Sequence, residues 1–370
     1  MASQSSKRVL ITGAEGYLGS VIALFLIEQG YEVTGLDTGF FKDATLYDVP
    51  KYPVLRKDAR DFSREDLENI DVVLHLAGIS LNDPFGGLPS EKLYDPTRVY
   101  ARFIAKLCKE SGVRFIFASS CSIYGKSGDE ELNEDSPVEP QIEYALNKLQ
   151  VEQDLAEISD VAFSPISLRF ATAFGLSPRM RFDIVINMLV GQAVADGKIT
   201  LNSDGQAWRP NVHVEDIARA VESAIRSEYS GGKLLILNVG REDNNMKIID
   251  IAKIVSDESG APITFSITGA RGANSDLVAS SAVSDRGVDT RNYCVSFKKI
   301  RSIFPDFECK YSIRNGVKEM ITLLKRLKLT PEQFQSRGLY RIKHLADLHR
   351  EGKIDDDLKW VRKSKVKIKS

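Results

Sequence analysis

Val9-Leu10-Ile11-Thr12-Gly13-Ala14-Glu15-Gly16-Tyr17-Leu18-Gly19 decides how this chain is read. Val9, Leu10 and Ile11 form a short apolar run, mostly β-branched, of the kind that makes a buried parallel strand. Gly13, Gly16 and Gly19 follow at three-residue spacing, through a turn and into a predicted helix over Tyr17–Gln29. A second strand, Tyr31–Leu36, ends in Asp37, 24 residues after Gly13. Strand, glycine turn, helix and an acid at the next strand's end make the dinucleotide-binding layout. Gly13 lets the chain turn sharply, Gly16 lets the backbone approach a pyrophosphate, and Gly19 lets the helix pack on the sheet. Unpaired N–H groups and the helix dipole favour the anion there.

Outward from that stretch, strands and helices alternate. Val54–Leu55 precedes Asp58 and Ala59. Val72–Ala77 is the next buried strand, and Pro84–Pro89 is a loop marked by glycine and proline. Ser90–Ser111 reads as a long helix and Val113–Ser119 as a strand. A further helix starts near Tyr144 and runs through Leu149–Ile158, and Pro165–Phe170 is another strand. This alternation predicts an α/β fold, a Rossmann-type doubly wound parallel sheet. Right-handed crossovers place all carboxyl ends of the strands on one edge, where ligands bind. Gly13, Asp37, Gly78 and Ser120 should gather there. From Phe174 the pattern loosens into a smaller, mixed region with no flexible linker. The expected division is 1–174, mainly, for the nucleotide; 175–328 for substrate, with a discontinuous boundary; and 329–370 as a helical extension with a basic tail. Val317–Leu327 and Pro331–Arg350 read as helices. Lys359–Ser370 holds six basic and no acidic side chains, the pattern of a solvated tail.

The whole composition excludes several classes. The 370 residues suffice for one large or two modest domains. Hydrophobic residues at 43% and charged residues at 27% are ordinary for a globular protein. Fifty basic against fifty-one acidic residues point to neither nucleic acid nor a membrane surface. No apolar run approaches the ~20 residues of a spanning helix. The polar start, Met1–Arg8, is no secretory signal. Cys108, Cys121, Cys294 and Cys309 are scattered without metal-like pairing, so no metal and a cytoplasmic location are expected.

Tyr144 and Lys148 sit at i and i+4 and share a helix face, while Ser119, Ser120 and Ser122 lie just past a strand. Beside a nicotinamide such residues make a proton-transfer set. A phenol titrates near 10 unaided. A lysine ammonium and the positive nicotinamide ring would lower that value. The tyrosine can then take a hydroxyl proton while hydride leaves the same carbon, with a serine holding the oxygen.

These residues resemble a known family. Thr12–Gly19 is similar to the TGxxGxxG loop of the extended short-chain dehydrogenase/reductases, Tyr144–Lys148 to their YxxxK, and Phe117–Gly125 to their active-site strand end. The resemblance runs from about residue 7 to residue 325 and suggests the NAD-dependent nucleotide-sugar epimerase/dehydratase branch. It implies that Ser120, Tyr144 and Lys148 are catalytic. Tyr17 and Leu18 would offer N–H groups to the pyrophosphate. Asp37 would hold the ribose and favour NAD over NADP. Asp58 and Ala59 would contact adenine, Leu76, Ala77 and Gly78 would line the cofactor, and Phe170 would flank the nicotinamide. Trp208–Asp216 resembles the R-D-x-x-x-V-x-D segment, with Pro210 replacing its Asp. Arg209 would then grip the substrate diphosphate, with Arg286 of an RPGD-like element as a second arginine. Ser122, Thr172 and Asn187 fall where the family contacts substrate.

Departures narrow the reaction. Sugar 4,6-dehydratases carry Asp-Glu after the catalytic Thr, where this chain has Cys121 and Ser122. Neither is a carboxyl acid, so 4,6-dehydration is not expected. Cys121 is a candidate acid/base of the C3/C5 epimerase kind, although those enzymes place the cysteine one position later. The expectation is an NAD-dependent nucleotide-sugar epimerase acting at C4 through a 4-keto sugar. Alternatives are a nucleotide-sugar 4-dehydrogenase or ketoreductase, a C3/C5 epimerase, and a non-catalytic NAD-binding protein. The family's helices at Ser90–Ser111 and Tyr144–Ile158 imply a homodimer.

Overall fold

The computed structural model describes residues 6–78, 90–266 and 292–361. The loop Pro84–Pro89 and Arg286 lie outside the described residues. The apolar runs pair into one seven-stranded sheet. Its order is Leu235–Val239, Ile166–Phe170, Arg114–Ser120, Val72–His75, Arg8–Thr12, Glu32–Asp37, Val54–Arg56. Every pairing in it is parallel. The chain starts in the middle, builds toward Val54–Arg56, then crosses back to Val72–His75 and builds the other way. This is the doubly wound fold, with its switch point beside Arg8–Thr12.

Side-chain alternation explains why both faces are covered. Val9 and Ile11 face the helices Tyr17–Glu28 and Val214–Arg226, burying Ile22, Leu26 and Ile217. Leu10, Phe115 and Phe117 face the helices Ser90–Glu110 and Glu143–Ile158, burying Ile104, Ala105 and Val151. Parallel register brings the strand ends together: Thr12 lies opposite Leu36 and His75, and Ser120 lies opposite Phe170. His75 is fully buried with Nδ1 2.8 Å from Thr12 Oγ1, and burial pushes its pKa down to about 3, so the ring is neutral.

A second core gathers Phe174, Phe182, Ile186, Leu189, Ile251, Met320, Leu324 and Phe334. Small sheets surround it: Thr172–Phe174 with Trp208–His213 and Asn245–Lys247, and Ile199–Leu201 with Ile263–Phe265. The polar strand Lys126–Leu132 pairs in parallel with Asn292–Val295.

The stretch read as helical over Pro331–Arg350 is instead two helices, Pro331–Phe334 and Arg341–Arg350, separated by a 3₁₀ turn at Arg337–Leu339. A capping box between Thr330 and Gln333 starts the first. Gly338 interrupts it where a Cβ would lie 3.3 Å from Ala44 Cβ. Leu345, Leu348, Ile354 and Leu358 then form a separate apolar cluster packed on Phe40, Phe41 and Tyr144. The extension therefore lies across the carboxyl edge of the sheet. Among the described residues no helix is long and apolar enough to cross a membrane, and no group of three metal-ligating side chains occurs.

Candidate active site

The glycine turn is built from backbone. Gly13 takes φ +73°, and a Cβ there would lie 2.9 Å from Ala77 N. At Gly19 a Cβ would lie 2.2 Å from Gly13 O, so helix and strand could not pack. The helix Tyr17–Glu28 starts at Gly16 without a side-chain cap and without an acid in its first turn. Its first N–H groups, including those of Tyr17 and Leu18, have no partner inside the helix. An uncapped helix start beside the switch point fits a dinucleotide's pyrophosphate. The Tyr17 phenol turns away from that surface. It donates to Gly175 O at 2.8 Å and accepts from Asn187 Nδ2 at 3.0 Å.

Asp37 sits at the end of its strand, its carboxylate accepting from Gly39 N at 2.7 Å and Glu15 N at 3.0 Å. Burial raises its pKa and those bonds oppose the rise. Asp58 caps the turn Ala59–Asp61 and holds Arg60 at Nε and Nη2. Leu76 N donates to Thr12 O at 3.1 Å and Ala77 N to Thr12 Oγ1 at 3.2 Å, while Gly78 is exposed. These positions all stand on the carboxyl edge of the sheet.

Ser120 ends its strand beside Phe170, and its side chain acts on the Tyr144 phenol. Its Oγ also accepts from Ser122 N at 3.1 Å, closing the 3₁₀ turn Cys121–Tyr124. Lys148 lies one helical turn after Tyr144, its Nζ 2.7 Å from Ala118 O and 5.7 Å from the Tyr144 ring centroid. Burial lowers its pKa to about 8, with Glu152 acting the other way. Burial raises the Tyr144 phenol, opposed by Ser120 and the Arg181 charge. The guanidinium of Arg181, which pairs with Asp183 at 2.8 Å, is thus part of the electrostatics at Tyr144.

Two of the expected site residues lie in the interior. Cys121 is 1% exposed and donates from Sγ to Arg169 O at 3.2 Å. Burial raises the thiol well above its ordinary range, as for a group enclosed under the strand end. Asn187 is fully buried, its Oδ1 accepting from Gly175 N and its Nδ2 donating to Tyr17 and Arg181 O. It ties the second core to the glycine helix. Thr172 and Arg209 are brought into one small sheet, since Asn211 pairs with Thr172. Arg209 is buried near the Tyr293 ring and donates to Trp208 O at 2.7 Å.

The sequence reading missed Arg179 and Arg181, which follow the turn Gly175–Pro178, and Arg341. The signal for the first pair was available: two arginines directly after a strand end on the ligand edge. Arg341 had no local signal, because only the fold of the extension brings it to this edge.

A parallel doubly wound sheet with Ser120, Tyr144 and Lys148 at its carboxyl edge defines an extended short-chain dehydrogenase/reductase. The NAD dependent epimerase/dehydratase family matches residues 9–240, and the chain belongs to that family of NAD-dependent enzymes. It is 27% identical over 292 residues to the UDP-glucose 4-epimerase of Corynebacterium glutamicum, covering 74% of this chain and 87% of that protein. To the UDP-glucose 4-epimerase of Neisseria meningitidis serogroup C it is 28% identical over 293 residues, covering 70% and 85%. Among solved structures, MoeE5 in complex with UDP-glucuronic acid and NAD has the same fold, with TM-score 0.70, 23% identity and coverage of 86% and 99%. The NDP-hexosamine 5,6-dehydratase TunA also shares it, with TM-score 0.69, 20% identity and coverage of 86% and 97%.

Proposed function

We propose that this chain is a nucleotide-sugar epimerase that inverts C4 of a nucleotide-diphosphate hexose through a 4-keto sugar. The observation behind this is the placing of Tyr144 and Lys148 on one helix face beside Ser120 at the carboxyl edge, with Lys148 Nζ 5.7 Å from the Tyr144 ring centroid. Bound NAD would supply reversible hydride chemistry at the sugar's C4. Tyr144 takes the proton of the 4-hydroxyl and later gives it back. Ser120 holds the same oxygen. Lys148, anchored on Ala118 O, keeps a cation beside the phenol and favours its ionised form. The uncapped helix start at Gly16 holds the cofactor's pyrophosphate and Asp37 its ribose, with Asp58, Ala59, Leu76, Ala77, Gly78 and Phe170 lining it. Ser122, Thr172 and Arg209 face the sugar nucleotide.

The absence of a carboxyl acid after Ser120 weighs against 4,6-elimination, and the burial of Cys121 weighs against C3/C5 chemistry. Both named relatives are 4-epimerases, which supports C4. The division near residues 174 and 328 is part of this reading, supported by the separate core around Phe174 and Met320. A cytoplasmic homodimer is proposed as well. Val99 at 66%, Phe103 at 45% and Leu146 at 39% exposure leave apolar area on the two helices expected to pair. Light scattering showing a monomer at micromolar concentration would remove the dimer.

The test is mass spectrometry of UDP-, GDP-, CDP- and dTDP-hexoses incubated with the protein in deuterated water, without added cofactor. The expected result is C4 isomerisation with no mass gain. Deuterium uptake would mean enolisation and overturn C4 for C3/C5. Conversion only with NAD or NADH supplied in stoichiometric amount would overturn epimerisation for net oxidation or reduction.

A further inference from the structure

The C-terminal extension brings a buried cation to the ligand edge that forms no ion pair among the described residues. Arg341 opens the helix Arg341–Arg350 and is 5% exposed. Its guanidinium lies 3.9 Å over the Phe41 ring, and its Nη2 donates to Arg179 O at 3.0 Å. Its Nη1 is buried without a partner among the described residues, and so is Nη1 of Arg179. Nearby acids are few and engaged. Asp183 pairs with Arg181 and accepts from Arg341 N at 3.3 Å. Glu15 is held by Arg56 and stands 3.7 Å from Arg179 Nη2. Asp37 is bonded to Gly39 and Glu15 backbone. Burial and the neighbouring arginines push Arg341 down to about 9, the sign of a charge short of counterions. Unpaired buried guanidinium nitrogens are costly unless something binds them.

We propose that Arg341 and Arg179 form an anion site, complete only when the C-terminal extension is docked, and that it takes a diphosphate. Planar guanidinium forks suit phosphate oxygens. The site lies between Glu15 of the glycine turn and Tyr144, on which Arg181 acts and the extension's apolar cluster packs. Two ligands can bring a diphosphate there: the dinucleotide and the nucleotide sugar. The extension is then a part of the binding site and not an appendage. This rests on those two ligand classes and not on the carbon that reacts, so the isotope experiment above stands or falls separately.

The experiment is calorimetric titration of NAD and, separately, of UDP into ligand-free full-length protein, for wild type, Arg341→Gln and Arg341→Lys, with thermal midpoints of the ligand-free forms. Loss of charged hydrogen bonds should weaken one ligand about 10- to 100-fold in Arg341→Gln, with partial rescue by lysine. Weakened NAD with unchanged UDP assigns the cofactor's diphosphate, and the reverse assigns the nucleotide sugar's. The ligand-free midpoint should hold or rise, because an uncompensated charge is gone. Unchanged affinity for both ligands overturns the proposal. So does a fall in the ligand-free midpoint that accounts for weakened binding without rescue by lysine. Should Arg341→Gln not fold, hydrogen exchange on the wild type decides: saturating NAD or UDP should protect amides of 341–354, and no protection by either overturns the site.

Discussion

The carboxyl edge of the sheet and the extension lying on it are held by different means. Beneath the edge runs a dense buried network. Arg169 pairs with Glu152 at 2.6 Å with both side chains almost wholly enclosed, and Ser167 donates to the same carboxylate at 2.9 Å. Seven strands share their backbone bonds and fix the strand end at Ser120, while Lys148 is tied to the sheet through Ala118 O. From Arg341 onward the extension instead rests on four core side chains and a few single bonds, most of them to backbone carbonyls. Arg60 donates to Asp357 O at 2.5 Å and Leu358 O at 3.0 Å, His344 Nε2 meets Phe40 O at 2.7 Å, and Trp360 Nε1 donates to Thr38 O at 2.7 Å. Few apolar contacts and exposed bonds place a segment at the low end of local stability. The catalytic candidates thus stand on the densely bonded part, and the covering segment is the sparsely bonded one.

The largest effect should come from the rigid half. Tyr144→Phe removes the proton-transfer group and should lower turnover on the order of 10²- to 10⁴-fold while NAD binding persists. Intact turnover would end the catalytic assignment. Glu152→Gln leaves Arg169 buried without its counter-charge and should destabilise the whole domain by about 3–5 kcal/mol in denaturant unfolding. A local effect confined to the extension would erase the contrast. Ile354→Ala opens a cavity in the small cluster, worth about 2–5 kcal/mol in a fixed core. If the weakly held segment opens locally, its amides should exchange faster while the global unfolding midpoint stays almost unchanged.

The smallest effect sharpens the contrast by pH. His75 is neutral in the fold, with its pKa at about 3 against an ordinary 6.5. The unfolded chain therefore binds the extra proton between those values, so stability is full above pH 6.5 and is lost as pH falls toward 3. His75→Gln should flatten that slope in unfolding free energies measured across the range. An unchanged slope would show that the sheet's acid sensitivity lies elsewhere.

What was legible in the sequence was local. Gly13–Gly19, Asp37, Ser120 and Tyr144–Lys148 are short motifs whose positions follow from strand and helix period, and the apolar strands announced the sheet. The polar strand Lys126–Leu132 was invisible, because its pairing with Asn292–Val295 is set by a distant partner and not by its own pattern. The burial of Cys121 depends on which side of a strand end the turn closes, which periodicity does not resolve. Arg341 could be placed only by folding the extension back over a distance of some three hundred residues, from Arg341 to Phe41.

Trp360 gives the molecule an optical consequence. The chain has two tryptophans, Trp208 and Trp360, and the second stands on the extension with its ring centroid 5.4 Å from that of Phe40. A Trp208→Phe variant would leave a single indole, seated on Phe40 and bonded to Thr38 O where the extension meets the edge. Its emission colour would then act as a built-in gauge of opening, readable in milliseconds without attaching a dye.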